Sequence, residues 1–118
     1  MSTQTKDQLF ILAAPFADGV DDAGAPRMWF CRDCATIEGA LIANPHWSEC
    51  VDVRRVAFPR PRPDVVALIG EENQELPCIV LAEASGEHKH ASGRAFINDL
   101  ADIVDYLSAT YGGAGRHP

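Results

Sequence analysis

The sequence predicts an α/β domain built on a four-stranded mixed sheet flanked by helices, in the order β-α-β-α-β-β-α. Three observations predict it. The run Gln8–Phe16 is almost continuously apolar and ends at a proline, the pattern of a strand buried on both faces. A helical pattern opens directly at the pair Cys31 and Cys34. Leu100, Ile103, Val104, Leu107 and Tyr111 fall at i, i+3, i+4, i+7 and i+11, an apolar stripe on one helix face. The 118 residues make one domain, enough to bury about two-thirds of the unfolded surface.

In chain order, the first strand is followed by Ala17–Pro26. Asp18, Gly19, Asp21, Asp22 and Gly24 mark this stretch as a loop, long enough to cover a site or to be a tolerated insertion. The first helix runs from about Cys31 to Ala43 and buries Ile37, Ala40 and Leu41. Gly39 lies inside it, and a close backbone approach is the expected reason. Asn44-Pro45 ends it, and Trp47 is expected as a core anchor. Val51–Phe58 is the second strand, with a phase change at Arg54-Arg55 that suggests a bulge or rim. Pro59-Arg60-Pro61-Arg62-Pro63 forces an extended connector. Asp64–Gly70 is a short helix with Gly70 as its stop.

Pro77–Glu83 is the third strand, Ala84–Gly93 a polar turn, and Arg94–Ile97 the fourth strand. Asn98 or Asp99 caps the last helix. Gly112-Gly113 ends it, and a loose tail is expected after that. The first and second strands should be parallel, and the third and fourth antiparallel.

Composition narrows the function. The net charge of −7 argues against nucleic acid or an anionic membrane surface as a partner. No apolar run approaches the roughly 20 residues of a membrane span. The first seven residues carry one basic side chain and precede only a short apolar run, so no signal peptide is expected. The expected location is cytoplasmic, where thiols stay reduced. Four cysteines then point to redox chemistry or metal.

Cys31-Arg32-Asp33-Cys34 places two thiols at a helix start, where the N-terminus stabilises a thiolate. Cys31 would attack, and Cys34, about one turn on, would be buried and resolve the mixed disulfide. Arg32 supports a thiolate there and Asp33 opposes it. A closed zinc site needs four ligands, usually in two paired sets. Cys50 and Cys78 are singletons in apolar surroundings, and His46, His88 and His90 add no regular second pair, so no metal is expected. Loops after parallel first and second strands share a sheet edge. That brings Arg60 and Arg62 near Cys31, either as a solvated connector or as an anion site for the carboxylate of a thiol cofactor or peptide.

Order and landmarks resemble the thioredoxin-like superfamily, particularly glutaredoxins and the N-terminal domain of glutathione transferases, over residues 7 to 111. Cys31-Arg32-Asp33-Cys34 sits where that superfamily's Cys-x-x-Cys opens the first helix. Leu76-Pro77 resembles its cis-proline, whose preceding residue binds thiol substrates through the backbone. Asp99 to Leu107 resembles the transferases' acidic-Ser-x-Ala-Ile-x-x-Tyr-Leu segment, which implies a substrate-side role for Asp99. Leu100 replaces the serine that holds the glutamyl end of glutathione there. No helical half follows, so an ordinary glutathione transferase is not expected. The whole chain also resembles an uncharacterised bacterial family of thioredoxin-like domains with no assigned reaction.

The resemblance implies a small thiol-disulfide oxidoreductase or glutathione-linked redox protein. It would bind no resident cofactor, take glutathione as a co-substrate, act on small or protein disulfides, and be a monomer or homodimer. The alternative is a non-catalytic binding module of the same fold, with Trp29 and Phe30 beside the motif as its surface.

Overall fold

The computed structural model describes residues 4–83 and 86–118. The first three residues of the leader-peptide reading and Ala84 and Ser85 of the polar turn lie outside them. The strands are β1 (Gln8–Leu12), β2 (Phe16–Val20), β3 (Pro26–Trp29), β4 (Asp52–Val56), β5 (Cys78–Val80), β6 (Lys89–Ala91) and β7 (Arg94–Ile97). The helices are α1 (Arg32–Ala43), α2 (Trp47–Cys50), α3 (Pro63–Ile69) and α4 (Leu100–Tyr111). No helix among the described residues is long and apolar enough to cross a membrane.

Five strands form a mixed sheet in the order β4-β1-β5-β7-β6. β1 is parallel to β4 and antiparallel to β5, β5 is antiparallel to β7, and β7 is antiparallel to β6. The interior position of β1 explains its unbroken apolar run. Leu9 and Ile11 face one core with Ile37, Leu41, Trp47, Ile103, Val104 and Leu107 from α1, α2 and α4. Phe10 faces a second core with Val65 and Ile69 of α3. Successive strand residues point to opposite faces, so a strand between two helical layers must be apolar at every position. Each large side chain buried this way contributes roughly 1.5–3 kcal/mol.

Several expectations are corrected. The sheet has five strands, because β6 forms in the stretch expected to be a polar turn. Ala17–Pro26 is no irregular loop. It forms the turn and strands of a hairpin in which Phe16 pairs with Trp29 and Ala17 with Met28. The turn is built by Asp21, whose Oδ1 accepts the N–H groups of Ala23 and Ala25, each at 2.9 Å. The pairing of β1 with β4 runs unbroken from Gln8↔Asp52 to Leu12↔Val56, so Arg54-Arg55 carries no bulge against β1. A Cβ on Gly39 would meet nothing within 4 Å, so no close approach explains that glycine. Ala114 in the supposedly loose tail is pinned. Its N–H donates to Asn44 Oδ1 at 2.7 Å, and its carbonyl accepts from Asn44 Nδ2 at 3.1 Å.

Candidate functional site

β1 delivers the chain to a sheet edge at Leu12, and the hairpin brings it back to the start of α1. Cys31 is the N-cap of α1, with extended backbone (φ −75°, ψ 122°). Its Sγ accepts the N–H of Cys34 at 3.2 Å. This is the bond an N-cap serine or aspartate normally makes, supplied here by sulfur. The position favours negative charge, because the first-turn N–H groups have no intrahelical acceptor.

Cys34, 2% exposed, points into the core. Its Sγ accepts the N–H of Leu12 at 3.4 Å, which ties the helix start to the end of β1. Burial, then the hydrogen bond with Cys31, push the Cys34 thiol up to about 12, against the lowering effect of the Leu12 N–H. The pair is therefore asymmetric: one sulfur half-exposed on a helix end, the other buried and held protonated. All four cysteines are free. Cys78 faces the α3 core, and burial pushes its thiol up to about 12.

The Leu76-Pro77 peptide bond is cis, as are Ala14-Pro15 and Arg60-Pro61. Leu76 and Cys31 both pack against the core that buries Cys34. Arg60 is exposed. Arg62 is buried, and its guanidinium is already engaged. Nε and Nη2 donate to the Phe58 carbonyl at 3.0 and 2.6 Å, and Nη1 donates to the Gln74 carbonyl at 2.6 Å. Its fork is filled by main chain, which leaves Arg60 as the accessible cation of the pair. Asp99 is the N-cap of α4, and its Oδ2 accepts the Asp102 N–H at 3.1 Å.

Two features escaped the sequence reading. Phe16 stacks on Phe58 with centroids 4.3 Å apart, and Arg62 lies over the same Phe58 ring at 5.6 Å. At the other end of β1, buried Asp7 accepts hydrogen bonds from Tyr106, from Tyr111 at 2.8 Å and from the Ala82 N–H at 2.7 Å. An acid directly before a buried strand was the available signal for the second. A cavity of about 570 Å³ opens beside this end, lined by His88, Asn98, Asp99, Asp102 and Tyr106 among others and by neither cysteine.

The fold and site together define an α/β protein with a half-exposed, helix-capping thiol over a buried one. The chain belongs to the family described as "Protein of unknown function (DUF3088)", which matches residues 6–115. No curated protein and no solved structure matches the chain.

Proposed function

We propose that this is a thioredoxin-like thiol-disulfide oxidoreductase in which Cys31 attacks and Cys34 resolves. The observation that carries the reading is the pairing itself: Cys31 Sγ caps α1 on the Cys34 N–H, while Cys34 lies beneath it in the core. The Cys31 thiolate attacks one sulfur of a substrate disulfide, forming a mixed disulfide and expelling the other half as a thiolate. Cys34 then loses its proton and attacks the Cys31 sulfur. The Cys31–Cys34 disulfide forms, and the second half leaves as a thiolate that takes up a proton. Two electrons pass to the substrate, and a thiol reductant, glutathione or a dithiol, restores the pair.

The asymmetry suits that order. One of the causes holding Cys34 protonated is charge on Cys31, and the mixed disulfide removes it. Following the resemblance, Leu76-Pro77 is the place for the backbone of an extended substrate, and Arg60 is the accessible cation for a carboxylate. Free thiols suit a reducing compartment such as the cytoplasm.

The test is trapping with an aromatic disulfide. Cys34→Ser should accumulate a one-to-one mixed disulfide at Cys31, and Cys31→Ser should form none. Greater reactivity at Cys34 than at Cys31 would overturn the assignment.

A second reading, a non-catalytic binding module, is favoured by one observation. Met28, Trp29 and Phe30 are 56%, 46% and 64% exposed and lead directly into Cys31. Uniformly slow alkylation of all the thiols near neutral pH would select it.

A further inference from the structure

Arg62 is only 5% exposed, and among the described residues it forms no ion pair with a carboxylate. Arginine is almost never buried without a charged partner, because carbonyl dipoles satisfy its N–H groups but do not cancel its charge. Here the guanidinium is locked by three hydrogen bonds to main-chain carbonyls of Phe58 and Gln74. Gln74, 6% exposed, holds the backbone as well, its Oε1 accepting the Arg62 N–H at 2.7 Å. The result is a fixed, desolvated cation.

Its placement points to the thiol pair. The guanidinium covers Phe58, Phe58 stacks on Phe16, and Phe16 pairs across the hairpin with Trp29, two residues before Cys31. Phe16, Phe58 and Cys31 all pack on the core that contains Cys34. β4, which leads to Arg62, is in register with β1, whose last residue Leu12 donates to Cys34 Sγ.

We propose that Arg62 is a positioning residue of this site, its locked guanidinium serving as the built-in counter-charge that favours the Cys31 thiolate. The inference rests on the thiol-disulfide reading above. A charge held in place before the reaction needs no reorganisation when the thiolate forms. Burial, and then the charge of Arg60, push the Arg62 guanidinium down from its usual range, while Cys34 and Cys31 push it back up. The other charges at this edge are Arg60 on the same connector and Arg32 and Asp33 on the first turn of α1, and Asp33 acts against a thiolate.

The test uses the full chain and iodoacetamide, a neutral reagent that surface charge does not steer. Cys31 alkylation is followed by peptide mass spectrometry at pH 7 and pH 10. Arg62→Gln should react about three- to tenfold more slowly than wild type at pH 7 and equally fast at pH 10, well above the ordinary thiol value of about 8.5, where a counter-charge no longer matters. Arg62→Lys, which keeps the charge and loses the fork, should restore most of the pH 7 rate. Arg62→Met fills the volume without charge and replaces Arg62→Gln if that variant does not fold, with the same expectation. Equal rates at pH 7, or the same slowing at both pH values, would overturn the role of Arg62. If wild-type Cys31 is not the fastest thiol at pH 7, the thiol-disulfide reading itself fails.

Discussion

Cys34 and Gly39 lie five positions apart on α1 and face opposite constraints. The Cys34 thiol is pushed up to about 12 and should be nearly inert while buried. In Cys31→Ser, iodoacetamide at neutral pH should therefore leave Cys34 largely unmodified in the folded protein and modify it rapidly in denaturant. Gly39 is exposed, and a Cβ there would meet nothing. Gly39→Ala should raise stability by about 0.5–1 kcal/mol through helix propensity and a less flexible unfolded chain, read as a higher urea midpoint at unchanged slope.

The cap of α4, which depends on local chemistry, was legible in the sequence. An aspartate before an apolar stripe announces a cap, because capping is decided within four residues, whereas the capping role of the Cys31 sulfur showed only in the structure. Arg62 was not legible. Whether an arginine in a proline-rich connector faces solvent or the interior depends on Gln74, twelve positions away, offering both a side-chain and a main-chain acceptor.

Among the elements, α4 has the clearest sequence signature and two separate anchors. Its N-cap bond from the Asp102 N–H to Asp99 predicts that Asp99→Ala loses about 1 kcal/mol and leaves Cys31 alkylation unchanged. A substrate-side role for Asp99 predicts a changed rate instead, so one variant separates the two. The second anchor is Asp7, which holds Tyr106 and Tyr111 against the start of β1. Burial and then the Asp7 hydrogen bond push the Tyr111 hydroxyl up to about 12 and raise that of Tyr106. Both pKa values are raised by folding, so this contribution is fully present below the unfolded tyrosine value of about 10. It is lost as pH rises toward the folded values, because the unfolded chain releases its protons first. Denaturation midpoints should fall between pH 10 and 12, and Tyr111→Phe should flatten that fall.

The hairpin and β6 were the elements the sequence hid. Asp18-Gly19-Val20-Asp21-Asp22 has little strand propensity, and its pairing follows from the turn at Asp21, whose geometry residue types alone do not display. β6 is three residues, Lys-His-Ala, and exists only because β7 offers an edge for it.

For the whole molecule, the hairpin sets the shape. Its strands form a sheet of their own, and every residue from 17 to 30 is exposed. The radius of gyration is 15.1 Å, against about 13.5 Å for a typical domain of this length. Replacing residues 17–28 with a short glycine linker should leave the circular dichroism of the main body intact and lower the radius measured by X-ray scattering. Loss of the main-body signal would mean that the arm supports the core after all.

The five-stranded sheet also has two open sides, and both are guarded. β4 carries Arg54 and Arg55, drawn down by Asp64 and Glu38, and β6 carries Lys89, held by Asn98. An unpaired strand edge is a template for another chain, and charged side chains along it, which a second strand would have to desolvate, disfavour that addition. The arginine pair that looked in the sequence like an interruption of a strand thus has a colloidal consequence. Arg54→Thr with Arg55→Thr should improve the strand by propensity and still make concentrated solutions scatter more light, as sheets begin to grow from one molecule into the next.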